Sequence, residues 1–393
     1  MITFEDLVGD ETRFHEEYFG RRTLLRRGAV DDPTALLSAR DLDDLLSLES
    51  IRPPYIKVNL NGSGVPEKGY TRSVVVQGVN VTDTVVADKV YELFKAGATV
   101  TWCSLNHILP TMRRLADVVN DKLSVRTDPV AFLTPAGRKG YPPHHDPVDL
   151  FIVQLSGTKR WKLWDLPEPR KGDNESYTLE KLGAPSDEFV MAPGDVLYLP
   201  YGTPHAAAAE DETSLHLSVM MRPRMWSELI LDLVKDIVAS DNRYNVYPSL
   251  ARSKSGEMLA QLTELTTHLT EALTDRISTS ELDRLRALPA SQGGHGRRST
   301  FESVVAADAL HTAQSLVRTG VGITVLDVID GRATVSVNGS RIAMPSSVAE
   351  LLSAVEPGAT VPLDDIILPS DDSGRRLAMV KALARLDLVR GTV

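Results

Sequence analysis

Short runs of β-branched and aromatic residues, broken by glycine and proline, dominate the middle of the chain between about residues 126 and 222. Many short strands at close spacing, with turn residues between them, are typical of an antiparallel sandwich or barrel. The pattern therefore predicts a mainly β domain here, preceded by mixed helix and strand from residue 1 to about residue 125. The predicted strands are Pro129–Leu133, Asp149–Leu155, Thr158–Leu163, Glu188–Val190, Asp195–Leu199 and Ser214–Met221.

A helical pattern follows the β region. Apolar residues recur at three- and four-residue spacing in two stretches, from Trp226 to Ile237 and from Met258 to Ile277, as on one face of a helix. A polar, glycine-rich joint at residues 290–299 follows and predicts a domain boundary. The two apolar stripes present more apolar surface than the small helical segment of one chain can bury. We therefore expect the helices to pair with a second copy of the chain in a homodimer.

The last part of the chain combines helices with short strands. Residues Thr334–Ile342 predict a hairpin that turns at Asn338-Gly339, the strongest short hairpin signal. Helical patterns cover Val348–Ala354 and Ser373–Leu386. This order of elements is typical of a winged-helix module.

The excess of acidic over basic residues limits the classes of partner that we expect the protein to bind. The chain has 393 residues, with 43 Lys and Arg against 53 Asp and Glu, and a formal net charge of −10. Residues 301–393 alone carry eight basic and eleven acidic side chains, so we expect no nucleic-acid partner even for the winged-helix module. The organisation predicts three domains: a β domain with its N-terminal extension at residues 1–222, a helical segment at 223–298 and a winged-helix-like domain at 299–393.

Cysteine content and hydropathy bear on location. Cys103 is the only cysteine, which excludes an internal disulfide and a cysteine-rich zinc or iron–sulfur site. No apolar run approaches the roughly 18–20 residues needed to span a bilayer. Residues Met1–Asp6 include the acids Glu5 and Asp6 and lack the basic and apolar regions of a secretory signal. We expect a cytoplasmic protein with no membrane partner.

The candidate chemistry lies in two segments of the β region. His144 and Asp146 form a His-x-Asp motif, and on an extended chain such side chains point to the same side and can converge on one ion. His205 follows a turn, an apolar strand and a second turn, and supplies a third ligand. Two imidazoles and one carboxylate on one face of an octahedron are typical of non-haem Fe(II) oxygenases. Catalytic zinc fits less well, because it usually has three protein ligands and one water in tetrahedral geometry.

The same segments resemble the JmjC 2-oxoglutarate oxygenases of the cupin fold, specifically the ribosomal-oxygenase branch of bacterial and eukaryotic protein hydroxylases. The resemblance implies a jelly-roll (double-stranded β-helix) domain with added helices, a helical dimerisation segment and a C-terminal winged helix. It also implies Fe(II), 2-oxoglutarate and O₂ at the site, with His144, Asp146 and His205 as the iron ligands. The matching residues are Leu133-Thr134-Pro135, Pro143-His144, Asp146, Phe151, Gln154, Gly157, Lys159, Trp161, Gly194-Asp195, Tyr198, Pro200, Pro204-His205 and Ser214–Ser218.

Two further residues are implied as contacts of the co-substrate. Lys159 matches the basic residue with which members of this family hold the distal carboxylate of 2-oxoglutarate, and Ser218 matches a hydroxyl residue beside it. The residues themselves predict a two-residue hairpin loop at Ser156-Gly157 that places Gln154 opposite Lys159. A lysine inside a β barrel needs an anionic partner, and a dicarboxylate provides one.

Neighbouring residues have simpler interpretations. His145 lies between two ligands and is expected to point away from them. His216 shares its strand parity with Ser218 and is expected to be a core histidine or a neighbour of the site. Where some relatives place polar residues near the co-substrate, this chain has Val130 and Phe132.

The resemblance implies a 2-oxoglutarate-dependent non-haem iron dioxygenase that hydroxylates a side chain of a protein. Arginine or histidine of a ribosomal protein is the first candidate, a peptide natural-product precursor is the alternative, and demethylation of methyl-lysine is less favoured. A different class of function is a non-catalytic, ligand-sensing cupin regulator that binds DNA through its winged helix. The complete triad and the acidic C-terminal module count against it, and formation of succinate from 2-oxoglutarate would distinguish the two.

Overall fold

The computed structural model describes residues 2–168, 170, 175–222, 224–248, 255–278, 282, 300–310, 315–337, 340–361, 366 and 373–391. The chain divides into two compact units, residues 1–290 and 291–393.

Strands and helices alternate in the first unit. Its strands are β1 (Leu24–Arg26), β2 (Ile56–Leu60), β3 (Ser63–Gly64), β4 (Thr71–Val76), β5 (Val79–Val85), β6 (Thr99–Trp102), β7 (Arg126–Thr134), β8 (His144–His145), β9 (Asp149–Ser156), β10 (Lys159–Leu163), β11 (Glu175–Ser176), β12 (Asp187–Met191), β13 (Val196–Leu199), β14 (His205–Ala209) and β15 (Ser214–Arg222). Its α-helices are α1 (Phe4–Val8), α2 (Glu11–Arg13), α3 (Ala39–Leu46), α4 (Ala87–Lys95), α5 (Pro110–Leu123), α6 (Leu179–Leu182), α7 (Trp226–Ser240) and α8 (Ser255–Arg276). Shorter helical turns lie at Phe14–Tyr18, Pro33–Ala35, Glu67–Gly69, Leu105–His107 and Asn242–Tyr244.

Two antiparallel sheets of this unit form a jelly roll. The larger sheet has the strand order β1-β13-β9-β15-β7-β6-β2-β3, and the smaller has the order β11-β8-β14-β10-β12. Leu150 and Ile152 of the larger sheet pack with Trp161 and Leu163 of the smaller one, so an apolar core lies between the sheets. The predicted jelly-roll domain with added helices is confirmed.

The central strand β9 is covered on both faces. Leu150 and Ile152 face the space between the sheets. Phe151, on the opposite face, packs against Phe14 and Phe4 of the N-terminal helical region, with ring centroids 5.6 Å and 6.3 Å apart. Because neither face of the strand meets water, residues 150–153 at its centre are all apolar and do not alternate with polar residues.

The predicted hairpin between β9 and β10 is wrong. Strand β9 pairs with β13 and β15, whereas β10 pairs with β12 and β14, so the two strands belong to different sheets. Gly157 lies in the connection through which the chain passes from one sheet to the other, and its φ is +62°. A Cβ atom there would lie 2.1 Å from the carbonyl oxygen of Thr213. The Nε2 group of Gln154 donates to the carbonyls of Ser156 and Gly157. Gln154 therefore hydrogen-bonds to backbone carbonyls of this connection and does not pair with Lys159.

Helices α7 and α8, which the apolar periodicity predicts, pack against each other. Most of the side chains in the contact belong to the predicted apolar stretches. Within the part of the chain that the structure describes, no helix has the length and apolarity to cross a membrane. The packed side chains are Leu229, Leu233, Ile237, Leu269, Ala272 and Leu273.

The second unit contains α9 (Thr300–Ala309), α10 (Ser346–Ala354), α11 (Ser373–Arg385), β16 (Leu316–Arg318), β17 (Ile323–Ile329), β18 (Arg332–Val337), β19 (Ser340–Pro345), β20 (Thr360–Val361) and β21 (Val389–Gly391). Its two three-stranded sheets have the orders β20-β16-β21 and β17-β18-β19. Val337 of β18 pairs with Ser340 of β19, so the strands of the predicted hairpin are present. Its turn, Asn338-Gly339, and the predicted joint at residues 290–299 lie outside the described residues.

Candidate metal and co-substrate site

The smaller sheet brings the predicted metal ligands together. His205 begins β14 and lies directly opposite His144 of the neighbouring strand β8. Asp146 follows β8, and its backbone carbonyl accepts a hydrogen bond of 3.0 Å from the amide of Gly202. This bond joins the two chain segments that carry the three ligands.

The side chains of His144, Asp146 and His205 converge. Oδ2 of Asp146 lies 3.7 Å from Nε2 of His144 and 3.8 Å from Nε2 of His205. One donor atom from each of the three residues lies within 4.8 Å of the others. Two imidazoles and one carboxylate in this arrangement form a donor set that suits a divalent iron ion.

Backbone carbonyls fix which imidazole nitrogen faces Asp146. The carbonyl of Pro142 lies 2.8 Å from Nδ1 of His144, and that of Thr203 lies 2.9 Å from Nδ1 of His205. A carbonyl only accepts, so both Nδ1 atoms carry the proton and both Nε2 atoms stay free to bind a metal. Burial, together with the neighbouring His144, lowers the pKa of His205 to about 4. The ring is therefore neutral, as a ligand must be, at neutral pH.

Lys159 is a buried cation four positions along the β10–β14 ladder from His205. Only 2% of its surface is exposed, and Nζ lies 3.2 Å from Oγ1 of Thr134 and 3.2 Å from Nδ1 of His216. Burial lowers the pKa of Lys159 to about 7. Both partners are uncharged acceptors, and no carboxylate of the described residues forms an ion pair with Lys159. The position suits one carboxylate of a ligand.

A single cavity joins the metal-ligand group to Lys159 and Ser218. The structure thus brings all five predicted site residues to one space. The cavity is lined by Thr99, Phe132, Thr134, Gly140, Tyr141, His144, Asp146, Leu150, Ile152, Lys159, Trp161, His205, Ala207, His216, Ser218 and Met220.

Two residues that line the cavity, Thr134 and Tyr141, have no individual role predicted from the sequence. Thr134 directly follows the predicted strand Pro129–Leu133 and belongs to the motif of the family, which is a usable signal for its contact with Lys159. The ring of Tyr141 lies 6.1 Å from that of His144, and no pattern in the sequence points to it. The intervening histidine, His145, lies outside the ligand group.

A known domain family matches the part of the chain that carries the jelly roll and its two-histidine, one-carboxylate site. Residues 104–229 match the family model described as the JmjC domain. The chain is 36% identical to ribosomal oxygenase 2 of Mus musculus over 110 residues, which are 27% of this chain and 24% of that protein. It is 26% identical over 216 residues to the bifunctional lysine-specific demethylase and histidyl-hydroxylase NO66 of Drosophila sechellia, covering 53% of this chain and 32% of that protein.

A solved structure matches over almost the whole chain. YcfD of Escherichia coli, a ribosomal oxygenase, superposes with a TM-score of 0.55 at 18% identity, covering 98% of this chain and 99% of YcfD. That structure of YcfD is a complex with cobalt and 2-oxoglutarate. The likeness supports a shared fold. The chain therefore resembles the ribosomal oxygenases in the region that matches the JmjC domain, and it spans only about a quarter to a third of the length of the curated relatives named above.

Proposed function

We propose that this protein is an Fe(II)- and 2-oxoglutarate-dependent dioxygenase that hydroxylates a side chain of a protein, with a ribosomal protein as the first candidate. The observation that carries the proposal is the convergence of His144, Asp146 and His205 in the cavity that also holds the uncompensated Lys159. The cobalt and 2-oxoglutarate bound by YcfD, and the names of the ribosomal oxygenases, support it. Bound iron, 2-oxoglutarate and O₂ supply the oxidising chemistry.

The chain's own residues bind and orient these groups. His144, Asp146 and His205 hold the metal from one side and leave the rest of the cavity for the co-substrate and the reacting side chain. Lys159, with Ser218 nearby, holds the distal carboxylate of 2-oxoglutarate. The apolar walls of the cavity exclude water from the reacting atoms.

Asp128 favours a cationic substrate side chain. It lies on β7 opposite Met220 and shares a strand face with Phe132, and both of these neighbours line the cavity. One carboxylate oxygen, Oδ2, accepts a bond of 3.2 Å from Oγ of Ser104. The other, Oδ1, is buried and has no hydrogen-bond partner among the described residues. A buried carboxylate oxygen needs a donor, and a guanidinium supplies several, so we propose arginine ahead of histidine as the modified residue.

The direct test is intact-mass analysis of candidate ribosomal proteins after incubation with the enzyme. We expect one added oxygen atom on one protein, dependent on both Fe(II) and 2-oxoglutarate, together with succinate. A regulator or a structural cupin would yield neither. Oxygen added to a peptide precursor and to no ribosomal protein would favour the alternative substrate class.

The Asp128→Asn variant tests the choice of arginine. Loss of the carboxylate charge should lower kcat/KM for an arginine-containing substrate peptide by at least about tenfold, because the guanidinium loses a partly desolvated charged partner. Binding of 2-oxoglutarate should stay within about threefold of the parent, since Asp128 does not contact Lys159. Ser104→Ala is the matched control, because it removes a neighbour of the carboxylate and keeps the charge. An unchanged kcat/KM in Asp128→Asn would contradict the role.

We also propose a homodimer formed by the helical segment at residues 223–298. Apolar side chains remain exposed on α7 and α8 after the two helices have packed together, and a second copy of the same segment would cover them. These side chains are Trp226, Ile230, Leu231, Leu259 and Leu262.

Light scattering at micromolar concentration tests the dimer. We expect a mass of twice 43.0 kDa for the parent and a monomer for the double variant Ile230→Glu with Leu262→Glu, because buried charges oppose association. Lys235→Glu, an exposed change on the same helix, is the control. A monomeric parent would rule the dimer out.

We also propose a domain organisation, a role for the last domain and a cellular compartment. The domains divide at residues 1–222, 223–298 and 299–393, and the last is a winged-helix module. Its excess of acidic over basic residues favours a structural or protein-binding role over nucleic-acid binding. The single cysteine favours a reducing compartment such as the cytoplasm.

A further inference from the structure

His216 lies on β15 beside Lys159 and has no role in the proposed reaction so far. It is 4% exposed. Its ring stacks on that of Phe132, with centroids 4.9 Å apart and planes within 4° of parallel. The edge of Trp161 meets it at 5.6 Å and 84°. Two aromatic rings therefore hold the imidazole in one orientation, with Nδ1 3.2 Å from Nζ of Lys159.

The contact assigns the proton on this imidazole. An ammonium group only donates hydrogen bonds, so Nδ1 of His216 must accept and the proton must lie on Nε2. Burial and the adjacent Lys159 both lower the pKa of His216, which keeps the ring neutral. Thr134, the other partner of the ammonium, is also uncharged. The pocket thus orients Lys159 through two acceptors and adds no negative charge.

We propose that His216 is a positioning residue, whose neutral Nε2–H form aims the ammonium of Lys159 at the distal carboxylate of 2-oxoglutarate and leaves its charge available to that ligand. The inference rests on the proposed function, because it takes 2-oxoglutarate as the ligand. A carboxylate at this position would also accept from Lys159, but it would neutralise the ammonium and compete with the co-substrate. The choice of an imidazole therefore matters for affinity as well as for packing.

Three substitutions of His216 separate the loss of the aromatic ring, the loss of the hydrogen-bond acceptor and the addition of a negative charge. Asn places an acceptor near the position of Nδ1, Phe keeps the stacking and removes the acceptor, and Asp adds a charge. Under anaerobic conditions with Fe(II), 2-oxoglutarate should bind within about threefold of the parent in His216→Asn, about tenfold more weakly in His216→Phe, and at least about 30-fold more weakly in His216→Asp. Fe(II) affinity should change little in all three. His268→Phe, a histidine change in the helical pair, is the control.

The order of the three variants is the readout that a purely structural role would not produce. A loss in His216→Asn equal to that in His216→Phe would overturn the proposal, as would parent-like affinity in His216→Asp. Nitrogen NMR of the metal-free parent tests the same contact without any ligand: we expect Nε2 protonated and Nδ1 unprotonated, and the opposite tautomer would overturn it. Failure of the parent to bind 2-oxoglutarate would instead refute the proposed function.

Discussion

The His205→Ala variant should lose iron binding and 2-oxoglutarate turnover and keep its fold. The substitution removes one of three donors whose atoms lie within 4.8 Å of one another. Loss of a residue that only orients a metal ligand typically costs about 10- to 100-fold in affinity or activity, so loss of a ligand should cost more than about 100-fold. The apolar core between the sheets consists of other residues, and the circular dichroism spectrum should therefore be unchanged. Iron content after dialysis, together with succinate formation, measures the effect.

His144→Ala should behave in the same way, because its Nε2 atom lies 3.7 Å from the same carboxylate oxygen of Asp146. His107→Ala is the matched control, since His107 is an exposed histidine of the same unit. Turnover retained in either ligand variant would remove the assignment of the metal site. Lost turnover with full iron content would instead show that the ring acts in a step after metal binding.

The strands that the sequence predicts well are those whose own residues favour a sheet. Strands β9 and β13 are rich in branched and aromatic residues and end near glycine or proline, and both lie within a residue or so of their predicted bounds. Strand β14 is the opposite case, because four alanines follow His205 and alanine favours helix. It is extended because β10 and β8 pair with it on either side. A contact between distant segments overrides the local preference there.

The hairpin predicted at Ser156-Gly157 is wrong for the same reason, because pairing with distant strands overrides the local pattern. A glycine between two apolar strands is a good hairpin signal when only the local chain is considered. In the folded protein, β9 already has β13 and β15 as neighbours, so β10 must join the other sheet. The partners of β9 lie between 43 and 72 positions away along the chain, and a local pattern does not contain that information.

The metal ligands were predictable because their spacing and types carry the chemistry directly. The roles proposed for Asp128 and His216 were not, because both depend on the register of β7 against β15. That register pairs His216 with Phe132 and Met220 with Asp128, across more than 80 residues of sequence. The motif of the family includes the segment around His216, but only the structure places its Nδ1 against Lys159.

The second large effect concerns the charge of Lys159. In the Lys159→Ala variant, 2-oxoglutarate should bind at least about tenfold more weakly, because truncating one partner of a buried charge pair costs roughly 2–5 kcal/mol. Fe(II) affinity should change little, since Lys159 lies four ladder positions from His205. Anaerobic titration of 2-oxoglutarate into the iron-loaded protein separates the two effects. Parent-like affinity in Lys159→Ala would show that the carboxylate is anchored elsewhere.

The same lysine should make 2-oxoglutarate binding depend on pH. Burial lowers the pKa of Lys159 to about 7 in the free protein, and a bound carboxylate raises it again. Between these two pKa values, binding takes up a proton, so affinity should fall by up to about tenfold for each pH unit above 7. The carboxylates of 2-oxoglutarate stay ionised throughout, because ordinary carboxyl pKa values lie near 4. Lys159→Arg should keep part of the binding at pH 7, because the charge is preserved although the fork geometry differs. It should lose this slope, because a guanidinium does not deprotonate. A slope that persists in Lys159→Arg would assign the proton to another group.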